Sequence, residues 1–311
     1  MARDDAKPIR SLLYTPGDQE QRIADNAASG ADALFLDLEE PRTPCTEETR
    51  VQARKLVREF LETAPTGPGA PCYFVRVQPV ASGMILRDLQ SVMGPNLAGI
   101  TLPKITGPAD VHAADAIITC LEVELGLPVG EIVLYPILET AEAIRNAYEI
   151  ATASERVAYM GGAVSRFGDI AASIGFRWTR EGRETLYIRE KVLIDARAAG
   201  IRYPISGMWG GANDDLDGLR AWLKELRDIG YFGMMMGNAE HVPIVNDAFT
   251  PTADEVAYWS EIDRLTREAE ASGGKVMHGD KNQGEGHEIH IAHVATARKL
   301  LAWARELGVS A

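Results

Sequence analysis

Cysteine, long apolar runs and clustered positive charge are all scarce in this sequence. Three cysteines occur in 311 residues, at Cys45, Cys72 and Cys120, and none forms a CxxC pair. So few and so widely spaced thiols exclude a disulfide-rich scaffold and favour the reducing cytoplasm. No apolar run approaches the roughly 18 residues of a membrane-spanning helix. The start, MARDDAKPIRS, has no apolar segment, so we expect neither a signal peptide nor a membrane anchor.

The charge balance also narrows the range of partners. The formal net charge is −13, and no Lys/Arg-rich run is present. Nucleic acid and anionic membrane surfaces are therefore disfavoured, because both attract clustered positive charge. We expect a small-molecule partner instead.

Short β-rich runs alternate with helical patterns along the chain. The runs are almost continuously apolar, as is typical of parallel strands that are covered on both faces. They span residues 10–16, 31–39, 72–79, 98–105, 131–139, 155–162, 203–209 and 230–237. Helix-start signals occur at Thr46 and at Asp214-Asp215. The pattern predicts an α/β fold, a (β/α)8 TIM barrel over residues 1–248.

Two features refine this prediction. No GxGxxG follows the first run, which disfavours a doubly wound open sheet. Residues 249–311 continue beyond the eighth strand with two amphipathic helical patterns. Since a barrel is already closed, we interpret this segment as a C-terminal helical extension that serves as a lid or an oligomer contact.

Two carboxylates follow neighbouring strands of the predicted barrel. Glu139 ends the fifth run, and Asp169 comes shortly after the sixth. In barrels of this type, the carboxyl ends of the strands form the active site. Carboxylates without a His/Cys ligand set favour a hard cation, and Mg²⁺ commonly takes one or two of them. We predict Mg²⁺ at this pair. The alternatives for each residue are a salt bridge or a helix N-cap, and the position of Asp169 before IAAS suits a cap.

Two basic residues end the third and fourth runs. Arg76 either clamps a substrate carboxylate or carbonyl, or pairs with Asp37 or Glu39. Lys104 could form a Schiff base, as in a metal-free aldolase. The nearby carboxylates and the lack of a second strand-end lysine favour an ion pair instead.

The C-terminal region contains several histidines, but they do not resemble a zinc site. The run HEIHIAH is not HExxH, and no cysteine lies near it. We interpret it as a polar loop and helix start. The triple methionine at 234–236 is interpreted as barrel core packing.

Several of these motifs together identify a family. RSLLYTPGDQEQRIADNAASGADALFLDLEE, FVRVQP, GITLPK, ILETAEA, GDIAASIG and VNDAFTP resemble, in order, the citrate lyase β-subunit-like proteins. These belong to the HpcH/HpaI aldolase superfamily, together with malyl-CoA and citramalyl-CoA lyases. The resemblance covers about residues 10–248. It implies a homotrimeric or homohexameric barrel that acts on an oxo-acid or acyl-CoA, with Mg²⁺ held by Glu139 and Asp169.

The resemblance also suggests roles for individual side chains. Arg76 would hold the oxo or carboxylate group of the substrate. The predicted catalytic residues are Arg76, Asp37, Glu39 and His290. The predicted substrate contacts are Arg76, Lys104, Arg10 and Trp209.

The sequence departs from the family pattern at several of its motifs. DLEDAV is here DLEEPR, RVN is RVQ, and the segment GMWGGAND around Trp209 differs from the family's shorter acidic form. The C-terminal DGxMVDxPH segment reads EGHEIHIAH, which places His290 where the family has an Asp. That Asp is taken as a catalytic acid/base. A histidine can also transfer protons near neutral pH.

The resulting hypothesis is a Mg²⁺-dependent carbon–carbon lyase of the aldol or Claisen type. Its substrate would be a 3-hydroxy-acid thioester such as a malyl-CoA- or citramalyl-CoA-like compound. One alternative is a class II pyruvate-type aldolase that acts on free hydroxy-oxo acids. The other is a non-catalytic subunit that retains the fold, which the altered EGHEIHIAH segment favours and the set of Glu139, Asp169 and Arg76 opposes.

Overall fold

The computed structural model describes residues 3–162, 164–272, 277–278, 287–289 and 291–310. Eight parallel strands form a closed barrel in sequential order, and β1 pairs with β8 to close it. The strands are β1 (Ser11–Pro16), β2 (Ala33–Asp37), β3 (Cys72–Arg76), β4 (Gly99–Leu102), β5 (Val133–Leu138), β6 (Gly161–Gly162), β7 (Ile205–Ser206) and β8 (Gly233–Met236). The predicted (β/α)8 barrel is confirmed.

Helices connect and follow the strands. The helices of the barrel unit are α1 (Glu20–Ala27), α2 (Glu47–Thr63), α3 (Ile85–Val92), α4 (Pro108–Leu125), α5 (Ala141–Arg145), α6 (Ala147–Thr152), α7 (Asp169–Ile174), α8 (Arg183–Ala198), α9 (Leu216–Ile229) and α10 (Val242–Ala248). Short 3₁₀ helices cover Arg3–Asp5, Val80–Ser82 and Ala239–His241. The predicted helix starts are confirmed, since Thr46 caps α2 and Asp215 caps α9 through their side chains.

The sixth and seventh strands are shorter than the sequence predicts. In β6, a Cβ added at Gly161 would lie 1.8 Å from the carbonyl oxygen of Ile205 in β7. The two backbones therefore approach closely at a position that only glycine allows. Upstream of β6, Val157 makes one isolated bridge to Leu134. The barrel is thus closed on this side by a short pairing of β6 and β7.

The barrel interior is filled by apolar side chains from several strands. Phe35, Phe74, Tyr135 and Met235 belong to one buried cluster, which Ile9 of the N-terminal segment joins. Phe74 packs edge-on against Tyr159 at 5.6 Å between ring centroids. This packing makes the barrel interior a solid core, so a cavity can form only at its ends.

The chain divides into two compact units, the barrel up to Phe249 and a second unit from Thr250. The second unit contains α11 (Ala253–Ser272), α12 (Ile291–Glu306) and a two-stranded antiparallel pairing of β9 (Met277–His278) with β10 (His287–Glu288). Its core joins Ile262, Val294 and Ala297, with Trp259 packed against them. A role as a lid or oligomer contact stays a prediction.

A search of the described helices finds none that is long and apolar enough to span a membrane.

Candidate active site

A cavity of about 400 Å³ opens at the carboxyl ends of the barrel strands. One set of lining side chains is polar or charged and comprises Tyr14, Glu40, Arg76, Glu139, Ser165 and Asp169. A second set is apolar and comprises Phe35, Ile137, Val164, Phe167, Ile170, Met208 and Met235. A cavity with a few convergent polar groups and an apolar remainder is typical of a small-molecule site.

Glu139 follows β5 directly and carries the most perturbed carboxyl of the cavity. Its Oε1 accepts a hydrogen bond from the backbone N–H of Lys104 at 2.7 Å. Burial raises the pKa of Glu139 to about 7, and the nearby carboxylates of Glu39 and Asp169 add to the effect, against the opposing influence of the Lys104 N–H and Arg76. Burial of this carboxyl therefore outweighs the stabilisation that its charged form receives from Arg76 and the Lys104 N–H.

Asp169 borders the same cavity from the loop after β6. It is the first residue of α7, and Gly168 occupies the cap position. The alternative that Asp169 is an N-cap is therefore wrong. Its side chain is 52% exposed, and its Oδ2 lies 3.6 Å from Nζ of Lys104. This half-open carboxylate can accept a further ligand.

The donor chemistry fits a hard divalent cation. Within the described ranges, no three His, Cys, Asp or Glu side chains are grouped to hold a metal ion, so a site here would use two carboxylates. Mg²⁺ commonly binds through one or two carboxylates and fills its other positions with water and substrate. The pKa of Glu139 is raised mainly by burial and further by the nearby carboxylates of Glu39 and Asp169, and a bound cation would favour its charged form.

Arg76, at the end of β3, is fixed by several partners at once. Its Nε and Nη2 donate to the two oxygens of Asp37, each at 2.7 Å. Its Nη1 lies 3.0 Å from Oε2 of Glu39, and its guanidinium lies over the Phe35 ring at 5.4 Å. Burial lowers the pKa of Arg76, but the Asp37 pair outweighs it and the pKa is raised. The ion pair of Arg76 with Asp37 or Glu39, which the sequence offers as the alternative to a substrate clamp, is therefore present. Arg76 also lines the cavity.

Asp37 and Glu39 lie behind the cavity wall instead of on it. Asp37 is fully buried, and Glu39 is 2% exposed. Asp37 accepts hydrogen bonds from the Tyr14 hydroxyl at 3.0 Å and from the Glu39 N–H at 3.0 Å. Neither residue borders the cavity. We therefore assign both to the positioning of Arg76 and Lys104, in place of the direct catalytic role predicted for them.

Gln78, a departure from the family's RVN, supports this arrangement. Its Nε2 donates to the carbonyl oxygens of Leu38 and Glu39 at 3.1 and 3.0 Å. Its backbone N–H donates to the buried Asp88 at 2.7 Å. The longer amide thus ties the end of β3 to the end of β2, which holds Glu39 in place.

Lys104 follows β4 in a left-handed backbone conformation, with φ of 50°. Its Nζ lies 3.0 Å from Oε1 of Glu39 and 3.3 Å from Oε1 of Glu40. Burial lowers the pKa of Lys104, but the Glu39 pair and the other carboxylates outweigh it and the pKa is raised. A Schiff-base lysine needs a neutral amine, so the structure favours the ion pair over the Schiff base.

Two of the predicted substrate contacts lie away from the cavity. Arg10 precedes β1, at the amino end of the strand, and its Nε and Nη2 bind Asp32 at 2.8 and 2.7 Å. Trp209 packs against Trp178 and Trp222, with ring centroids 5.3 and 5.8 Å away. The structure therefore corrects both predictions. The predicted proton-transfer residue His290 lies outside the described residues.

Sequence reasoning also missed residues that do border the cavity. Met208, one position before Trp209, lines it, as does Tyr14. Met235 is buried in the core as predicted for the methionine triplet, and it also forms part of the cavity wall. The place of Tyr14 at the end of the first predicted strand already puts it on this rim, although no role is predicted for it. The side to which Met208 points follows only from the three-dimensional structure.

Comparisons with known proteins agree with this architecture. The model of the family described as HpcH/HpaI aldolase/citrate lyase matches residues 10–239. An L-malyl-CoA/beta-methylmalyl-CoA lyase from Cereibacter sphaeroides is 30% identical over 290 residues, which cover 86% of this chain and 87% of that protein. A (3S)-malyl-CoA thioesterase from the same organism is 28% identical over 302 residues, 97% of this chain and 96% of the relative.

A solved structure with a similar fold is the CitE protein of Mycobacterium tuberculosis in complex with magnesium, acetoacetate and coenzyme A. It aligns with a TM-score of 0.68 at 21% identity and covers 97% of this chain and 99% of its own. At this identity the likeness concerns the fold.

Proposed function

Because this chain belongs to the HpcH/HpaI aldolase/citrate lyase family, we propose that it cleaves a carbon–carbon bond in a 3-hydroxy-acid thioester of coenzyme A. Malyl-CoA- and citramalyl-CoA-like compounds are the candidate substrates. The observation that carries this proposal is the meeting of Glu139, Asp169 and Arg76 at one cavity. A retro-aldol or retro-Claisen reaction needs fixed positive charge where an enolate develops.

The reaction breaks the bond between the carbon that bears the hydroxyl and the carbon next to the thioester carbonyl. The hydroxyl loses its proton and becomes the carbonyl of an oxo-acid, and the electron pair of the broken bond passes to the thioester as an enolate. We propose that Glu139 and Asp169 hold Mg²⁺, which when bound acts as a Lewis acid toward the oxygen where negative charge develops.

Arg76 supplies the second positive charge. Its bidentate pair with Asp37 and its contact with Glu39 fix the guanidinium before substrate binds. A preorganised charge stabilises the transition state without reorganisation during the reaction. We propose that it binds the carboxylate or carbonyl of the oxo-acid portion. The enolate carbon finally takes up a proton, and His290 stays our prediction for this transfer.

Hydrolysis of the thioester is a second candidate activity. It is favoured by the (3S)-malyl-CoA thioesterase, whose similarity extends over 97% of this chain. The two activities differ in their products: cleavage of the carbon–carbon bond leaves the thioester intact, whereas hydrolysis releases free coenzyme A thiol.

The test is an assay of purified protein with malyl-CoA, citramalyl-CoA and the corresponding free acids, with Mg²⁺ or with EDTA. Oxo-acid, acyl-CoA and free thiol are measured in the same samples. We expect oxo-acid and a shorter acyl-CoA in equal amounts, only with Mg²⁺ and only from the thioesters. Release of free thiol without oxo-acid would favour the hydrolase, and cleavage of the free acids would favour the aldolase.

Variants connect this activity to the cavity. Glu139→Ala and Asp169→Ala are expected to abolish oxo-acid release. Glu59→Ala is the matched control, because Glu59 is 56% exposed on α2 and pairs only loosely with Lys55 at 3.9 Å. Full activity in both cavity variants would contradict the proposal.

We further propose that the protein assembles as a homotrimer or homohexamer, as the family resemblance implies. Light scattering coupled to size-exclusion chromatography measures the mass of the assembly. A mass equal to one 33.8 kDa chain would contradict this prediction.

A further inference from the structure

Lys104 contacts more carboxylates of the site than any single role proposed above requires. Its backbone N–H donates to Oε1 of Glu139 at 2.7 Å. Its Nζ lies 3.0 Å from Glu39, 3.3 Å from Glu40 and 3.6 Å from Asp169. One residue therefore reaches both members of the proposed metal pair, one with its main chain and the other with its side chain.

The backbone of Lys104 is specialised for this position. Among the residues that the structure describes, it is the only one other than glycine with a positive φ. This conformation is unfavourable for a residue with a Cβ atom, and such strain persists where the surroundings impose it, often at functional sites. In Lys104, the left-handed backbone accompanies the contact of its N–H with Glu139 and the contacts of its Nζ with three other carboxylates.

The ammonium group is also the local counter-charge of this wall. Glu39 is almost completely buried and shares its two oxygens between Lys104 and Arg76. Glu40 and Asp169 are about half exposed and face the same Nζ. Without a positive charge, three carboxylates would lie close together and repel one another.

We propose that Lys104 is a built-in counter-ion that stabilises the carboxylate cluster in the absence of metal and lowers the affinity of Glu139 and Asp169 for a divalent cation. This inference rests on the proposed metal site. A cation held by Asp169 would lie close to the ammonium group of Lys104, whose Nζ is 3.6 Å from Oδ2 of that carboxylate. Like charges at such distances repel, and partial exposure to solvent reduces the repulsion without removing it.

The substitution Lys104→Met tests this inference, because it removes the charge and keeps an unbranched side chain and the backbone N–H to Glu139. Mn²⁺ serves as the probe, and its free concentration is followed by electron paramagnetic resonance. We expect the Kd of the variant to fall about tenfold, the order of change produced by removing one nearby charge in a partly solvated site. Lys104→Arg, which keeps the charge, is expected to bind Mn²⁺ like the wild type.

A second readout does not depend on catalysis. Tm is measured for each protein in EDTA and in saturating Mn²⁺. Since a ligand stabilises the folded state in proportion to the logarithm of its concentration over Kd, the rise in Tm should be larger for Lys104→Met than for the wild type. Lys191→Met is the matched control, because Lys191 pairs with Asp195 on α8 and does not line the cavity.

The outcomes separate this inference from the metal assignment. Tighter binding in Lys104→Met and unchanged binding in Lys104→Arg and Lys191→Met support the inference. Wild-type binding of Mn²⁺ with an equal or higher Kd in Lys104→Met overturns it and leaves the metal pair intact. Absence of Mn²⁺ binding in every protein overturns both. If Lys104→Met does not fold, Lys104→Gln replaces it under the same criteria.

Discussion

The raised pKa of Glu139 predicts a distinct pH dependence of stability in the metal-free protein. Its folded-state pKa is about 7, against an ordinary value of 4.5. Between these values the unfolded chain loses the proton while the folded protein keeps it. Stability therefore falls as the pH rises from about 4.5 to about 7, and the loss is complete above 7. The rise in pKa corresponds to about 3 kcal/mol, and the remaining access of water to this largely buried carboxyl reduces it to about 2 kcal/mol.

Glu139→Gln removes the titration and keeps an oxygen that can accept the Lys104 N–H. Urea unfolding in EDTA is expected to give equal stability for variant and wild type near pH 4, and a variant that is more stable by about 2 kcal/mol at pH 8. The dependence of the difference on pH is the signature, because a general packing effect would be constant. Parallel curves for the two proteins between pH 4 and 8 would refute the reasoning.

Three further substitutions test the structure around the cavity. Arg76→Met leaves the buried Asp37 without its cationic partner and should lower the free energy of unfolding by about 3 kcal/mol, measured by urea titration, with loss of oxo-acid release. Tyr14→Phe removes one hydrogen bond to Asp37 and should reduce stability by about 1 kcal/mol; an unchanged midpoint would argue against that bond. Gly161→Ala forces β6 and β7 apart and should lower the free energy of unfolding by at least about 3 kcal/mol. At Gly94 an added Cβ meets no atom within 4 Å, so Gly94→Ala should change that free energy by less than about 1 kcal/mol.

The sequence was sufficient to predict the barrel, because parallel strands that are covered on both faces leave continuous apolar runs. The lengths of the last strands were less well predicted. Within the predicted run 155–162, the strand comprises Gly161–Gly162. Within the run 203–209, the strand comprises Ile205–Ser206. An apolar run reports burial, but the extent of pairing depends on how closely neighbouring backbones approach.

The location of the site was predictable for a related reason. Barrel topology brings the carboxyl ends of all strands to one rim, so Glu139, Asp169 and Arg76 share a cavity as expected. The same rule could have excluded Arg10, which precedes its strand. The sequence does not show to which side of a strand end each side chain points. It therefore predicts Trp209 at the cavity, whereas the structure places Met208 there.

The family resemblance and the carbon–carbon lyase class are confirmed by the comparisons. The alternative of a non-catalytic subunit, which the EGHEIHIAH segment favours, stays a hypothesis that the activity assay tests. The metal pair and the roles of the individual side chains stay proposals, and the assays described above test them.

The most direct test of the central claim is a crystal structure of the protein soaked with Mg²⁺ and an oxo-acid such as pyruvate. We predict one metal ion coordinated by Glu139 and Asp169, with the oxo-acid bound to the ion and its carboxylate or carbonyl in contact with Arg76. A metal ion bound elsewhere, or an oxo-acid bound in the cavity without a metal at these two carboxylates, would contradict it.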